Sequence, residues 1–216
     1  MKYQLETNPE VVAAARPTGP ARLVLGLDFG TQCGATYALI KPGDIISPAL
    51  ILPRHMAQWD LSVNSFESGA LRFVRLRQFL SALKPDLVSW EEVKFTPGGI
   101  NKMNANAVLA RVSTAAEFLG ALKCTAGTWC EENNVPGVGF GIGTIKRRAT
   151  GRGTADKLAM IKACNDTFGS ELDPEGFETT GVHNVADSAF VCLLGLEHYG
   201  SGLPSLVKEP TCSTCS

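Results

Sequence analysis

Residues 23–27, Leu-Val-Leu-Gly-Leu, form an apolar run that ends on Asp28. A run without polar alternation reads as a strand covered on both faces. Gly30 and Gly34 predict a tight turn between antiparallel strands, and "ATYALI" and "DIISPALILP" read as the second and third strands of a meander, with Gly43 and Asp44 between them. From Ser68 to Leu83 the apolar positions Leu71, Val74, Leu76, Phe79, Leu80 and Leu83 recur mostly at three- and four-residue spacings, which predicts an amphipathic helix ended before Pro85. "PDLVSWEEV" predicts a fourth strand rising through Leu87, Val88 and Trp90 to Glu91, a second acid at a buried strand end. Small and apolar residues at helical spacing over 101–133 predict one long helix suited to close packing. "VPGVGFGIGTI" reads as a short glycine-rich strand and loop, followed by a basic loop, a helix from about Ala155 to Phe168, and a last helix over "NVADSAFVCLLGLEHYG".

This order of three strands, helix, strand, helix, strand and two helices predicts an α/β fold. Its mixed five-stranded sheet joins an antiparallel meander to parallel strands and is flanked by helices. The ribonuclease H-like fold has this order. At 216 residues the chain suits one sizeable core. The expected organisation is a flexible segment over 1–21, a ribonuclease H-like domain over 22–200 and a flexible tail over 201–216.

Composition narrows the setting. Hydrophobic residues make up 44% and no apolar run approaches a membrane span, so a soluble intracellular protein without membrane contact is expected. Seven cysteines, most of them single in apolar or mixed segments, read as buried reduced thiols; Cys212 and Cys215 form a CxxC without a second pair. The net charge is −1, but "TIKRRATGRGTADK" (144–157) gathers Lys146, Arg147, Arg148, Arg152 and Lys157 against Asp156 alone. Such a cluster is either a local anion site or a solvated face.

Asp28 and Glu91 end neighbouring strands in this layout, and Asp187 falls in the first turn of the last helix, able to cross their ends. Converging carboxylates repel one another and lose solvation, but around one or two Mg²⁺ ions they become ligands. Two ions about 4 Å apart activate a water and stabilise the leaving oxygen of a displacement at phosphorus.

Four blocks in order, "LGLDFGTQCGATYALI", "LVSWEEV", "TIKRRATGRGTADKLAMI" and "HNVADSAFVCLLGLEH", carry a resemblance to the RuvC-type Holliday junction resolvases that spans 23–198. "LDFGT" alone also suits the phosphate loops of sugar kinases, whose architecture needs two such domains. The third block, with a lysine, a G-x-G and then A-D-K, is the discriminating one. The resemblance implies a metal-dependent endonuclease that cuts opposed strands of four-way DNA junctions as a homodimer, using Mg²⁺ with Mn²⁺ able to substitute. It implies Asp28, Glu91 and Asp187 as metal ligands and Lys146 and Lys157 as basic residues near the scissile phosphate. Arg147, Arg148 and Arg152 would extend that DNA face, with Lys94 and Phe95 standing where the family often has an aromatic wedge. Where many members carry an acid three residues before the final aspartate, this chain has Asn184, preceded by His183. Either a neutral Asn184 oxygen or a His183 nitrogen completes the metal site, or the asparagine is an engineered replacement that traps substrate. Paired cutting asks for two active sites, and the small-residue helix from Ala105 to Leu122 is a candidate dimer face. A branched-DNA-binding protein of the same fold without cleavage is the alternative.

Overall fold

The computed structural model describes residues 21–92 and 105–199. Five strands form one mixed sheet in the order β3-β2-β1-β4-β5: β1 (Arg22–Asp28), β2 (Gln32–Ile40), β3 (Met56–Asp60), β4 (Leu87–Glu92) and β5 (Gly137–Gly141). β1 pairs antiparallel with β2 and parallel with β4, while β2–β3 is antiparallel and β4–β5 parallel. The helices are α1 (Leu71–Leu83), α2 (Ala105–Glu132), α3 (Ile142–Thr150), α4 (Lys157–Phe168), α5 (Phe177–Thr180) and α6 (Val182–Tyr199).

The sheet lies between two cores because strand side chains alternate between its faces. Leu23, Leu25 and Leu27 of β1, with Val88 and Trp90 of β4, pack on Leu76, Leu80 and Leu83 of α1 and Leu122, Ala126 and Trp129 of α2. On the other face Val24 and Leu87 meet Ile145 of α3, Met160, Ile161 and Cys164 of α4, and Ala186, Ala189, Phe190 and Leu193 of α6.

α6 sits close on the sheet. A methyl group at Gly26 would lie 2.3 Å from the Cys192 nitrogen, and one at Gly34 would lie 1.9 Å from the Asn184 carbonyl oxygen. Gly34 is therefore a β2 residue emptied for a helix backbone rather than the turn residue its sequence context predicts. The height is fixed by buried hydroxyls: Thr36 Oγ1 and Ser188 Oγ are 2.8 Å apart, and Ser89 Oγ is 3.1 Å from the carbonyl oxygens of both Leu25 and Val191.

Three further sequence expectations shift. The third strand is Met56–Asp60, not "DIISPALILP"; Pro48 and Pro53 open two 3₁₀ turns there, because proline cannot donate to a strand ladder. The basic loop is largely helix α3, which ends at Gly151 in the left-handed conformation, φ 77°. The last helix starts at Val182, so Asp187 lies in its second turn rather than its first. The glycine-rich strand β5 forms as the sequence predicts, and its glycines have a packing cause: methyl groups at Gly137 and Gly139 would fall 2.6 Å from the Trp90 ring and 2.4 Å from the Glu92 carboxylate, both of which lean across it. Among the described residues no helix is long and apolar enough to cross a membrane.

Candidate active site

The site follows from strand register. On the α6 face, Gly26 lies opposite Thr36 on one side and Ser89 on the other; two residues on, Asp28 lies opposite Gly34, and Glu91 follows Trp90, the partner of Leu27. One row of the sheet thus holds the hydroxyls that seat α6, and the next holds Asp28 and Glu91. α6 brings Asp187 over this second row, one residue before Ser188 bonds to Thr36. The Gly34 gap lets the first turns of the helix come down onto the sheet.

Asp28, Glu91 and Asp187 each offer a carboxylate oxygen, and these oxygens lie within 4.8 Å of one another. Asp28 is only 8% exposed, and Asp187 Oδ1 is buried without a hydrogen-bond partner among the described residues. All three acids hold their protons more tightly than free carboxyls. Burial is the largest cause for Asp28, reinforced by Glu91 and Asp187 and opposed by Lys157. Burial also raises Glu91 against the pull of Lys146. Asp187 is pushed up to about 7 by burial and by Glu91, with Lys146 and Lys157 acting the other way. A buried acceptor without a donor, in a trio of mutually repelling carboxylates, is an arrangement that a divalent cation relieves. The residues present fit an oxygen-liganded metal.

Glu92 is excluded from this group by strand alternation: it points to the α2 face and forms an ion pair with Lys123.

The basic residues divide. Lys146 and Lys157 act electrostatically on the acids, as noted. Arg148 turns away and makes a bidentate pair with Glu197 of α6, with Nε–Oε1 2.9 Å and Nη2–Oε1 2.6 Å. Arg147 and Arg152 are exposed. Lys94, Phe95, Cys212 and Cys215 lie outside the described residues.

Neither of the two residues proposed to complete the site is engaged as a bare ligand. Asn184 Nδ2 donates to the Gln32 carbonyl oxygen at 2.5 Å, tying the start of α6 to the β1–β2 turn. His183 points its Nε2 at the Lys157 ammonium, 3.0 Å away, and its Nδ1 at the Phe177 carbonyl oxygen, also 3.0 Å away. Sequence reasoning missed Phe177, whose ring lies edge-on to His183 at 5.7 Å and under Lys157 at 5.7 Å. No spacing marks it, because its place depends on the one-turn helix α5.

No protein-family model matches the chain, and no curated protein matches it. Among solved structures, Thermus thermophilus RuvC in complex with Holliday junction substrate is similar with a TM-score of 0.55 and 19% identity, over 83% of this chain and 94% of that one. The chain has the RuvC fold. Two further structures are similar: Thermus thermophilus RuvC at a TM-score of 0.49 and 20% identity, over 82% of this chain and 96% of that one, and the yeast mitochondrial Holliday junction resolvase at 0.44 and 16%, over 89% and 87%. Within the RuvC fold of this chain, the three acids stand at the ends of two neighbouring central strands and on the helix that crosses them.

Proposed function

We propose that the chain is a divalent-metal-dependent endonuclease that resolves four-way DNA junctions by paired hydrolytic nicks. The observation that carries this reading is the trio Asp28, Glu91 and Asp187, with its unpartnered buried oxygen, set on the RuvC fold beside two lysines. The RuvC of that comparison is bound to a Holliday junction substrate.

In this reading Asp28, Glu91 and Asp187 hold Mg²⁺, with Mn²⁺ able to substitute. With its amide nitrogen spent on Gln32, Asn184 has its oxygen left for the same cation. The metal, when bound, supplies an activated water and neutralises charge on the leaving oxygen. Lys146 and Lys157 offset the charge of the acids and meet the scissile phosphate, while Arg147 and Arg152 contact flanking phosphates. Lys94 and Phe95, just beyond the Glu91 strand, are proposed to meet the junction's branch point. Two nicks on opposed strands call for two copies of the site, and we place the homodimer contact on α2, where Thr114, Ala115, Gly120 and Cys124 are exposed.

The test is incubation of the purified protein with labelled four-way, flap and linear duplex DNA, with Mg²⁺, Mn²⁺ or chelator, and mapping of the cuts. Symmetric nicks in the four-way junction, dependent on metal, are expected. Tight junction binding without cutting under any metal would overturn the nuclease reading in favour of a branched-DNA-binding protein, the alternative that the neutral Asn184 leaves standing.

A further inference from the structure

The contacts of His183 form a chain with only one consistent hydrogen-bonding assignment. The Phe177 carbonyl can only accept, so the proton of a neutral imidazole sits on Nδ1, 3.0 Å away. Nε2 then carries the lone pair, and the Lys157 ammonium, a group with donors alone, lies 3.0 Å from it. The Phe177 ring supports both partners, edge-on to the imidazole at 5.7 Å and beneath the ammonium at 5.7 Å. Lys157 is the first residue of α4 and His183 the second of α6, so the contact also joins the starts of two helices.

We propose that His183 is a positioning residue for Lys157, and not a metal ligand: its Nε2 holds the ammonium at the edge of the acidic trio, where the lysine meets the phosphate being cut. The inference rests on the nuclease reading and assigns a role within it. A lysine stem has four rotatable carbons, and fixing it costs up to about 2 kcal/mol of side-chain entropy. The imidazole and the Phe177 ring settle that cost before substrate arrives, so the charge is in place when the transition state forms. Asp28 and Asp187 both feel this charge already. The Lys157–His183 contact is solvent-accessible, so its loss is expected to leave the fold intact.

Two measurements test the assignment. In the first, single-turnover cutting of a four-way junction is followed for the parent, His183→Leu and His183→Gln across a Mg²⁺ titration, with junction affinity measured alongside. His183→Leu is expected to slow cutting by about 10- to 100-fold while the Mg²⁺ midpoint and the junction affinity stay within about twofold. His183→Gln, whose side-chain oxygen reaches the place of Nε2, is expected to restore most of the rate. Parental cutting by His183→Leu, a shifted Mg²⁺ midpoint, or no recovery with glutamine would each overturn the proposal. The second measurement needs no activity: ¹⁵N NMR of the imidazole is expected to report the Nδ1–H form and an Nε2 resonance that moves in Lys157→Met. The opposite tautomer, or an unresponsive Nε2, would refute the contact even in a protein that cuts nothing. Failure of the parent to cut, with the NMR result as expected, would count against the nuclease reading alone.

Discussion

At the scale of single residues, Asp187 concentrates the tension in the site. Its carboxyl is buried, repelled by Glu91 and without a partner at Oδ1 among the described residues, and burial with that repulsion pushes its pKa up to about 7 where an ordinary aspartate has 3.8. Below pH 3.8 the folded and unfolded chains both hold this proton. Between 3.8 and about 7 only the folded chain keeps it, so the stabilisation this proton provides is lost as pH rises through that window. Asp28 and Glu91 push in the same direction. The metal-free protein is therefore expected to melt at a lower temperature at pH 8 than at pH 5, and Asp187→Asn to recover roughly 4 °C or more at pH 8 and little at pH 5. A thermal melt of both proteins with chelator checks this. In Mg²⁺ the same variant is expected to lose cutting by at least about a hundredfold while still binding junctions, because in the proposed function the removed charge holds the metal and the basic residues meet the phosphates.

At the scale of elements, the decisive packing is α6 on the sheet. Gly26→Ala puts a methyl group against the α6 backbone, so the helix must lift and take Asp187 with it. The expected cost is about 3 kcal/mol or more, read as a lowered denaturant midpoint, together with weakened metal binding. The basic helix α3 makes a second prediction. Arg148 is held by Glu197 at about one-third exposure, so Arg148→Ala is expected to leave the salt dependence of junction binding nearly unchanged. Arg147→Ala with Arg152→Ala is expected to flatten it by up to about two units of slope, measured as log affinity against log salt. These elements also mark what the sequence could disclose. Asp28 and Glu91 were legible because a carboxylate closing an apolar strand is costly without a purpose, and two such strands recurred. The third strand was not: "ALILP" has the apolar density of a strand, but Pro48 and Pro53 turn it, and the strand itself is the short, mixed "MAQWD". Gly34 carried a turn signal in a place where the fold needed an empty position. The partners of His183 were out of reach, since they come from elements whose meeting depends on the finished tertiary structure.

At the scale of the whole molecule, the sheet carries one site per chain, whereas resolution of a junction takes two cuts. Sedimentation of the free protein is expected to give twice the chain mass, and a bulky charge at the exposed Gly120 of α2, Gly120→Glu, is expected to give monomers that nick junctions singly. A parental monomer at micromolar concentration would place the pairing on the DNA instead. The seating of α6 on the sheet also has a consequence in time. The Thr36–Ser188 bond joins positions 152 residues apart, and the two aspartates of the site are separated in the same way, one from the first strand and one from the last helix. On a ribosome adding roughly 5–20 residues per second, on the order of ten to thirty seconds pass between the emergence of one and the other. Throughout that interval the growing chain carries Asp28 and later Glu91 but lacks Asp187, so the acidic trio is incomplete. Assembly of the acidic site thus waits on α6, and in refolding any metal-dependent cutting is expected to return with the phase in which α6 docks, after most of the secondary structure has formed.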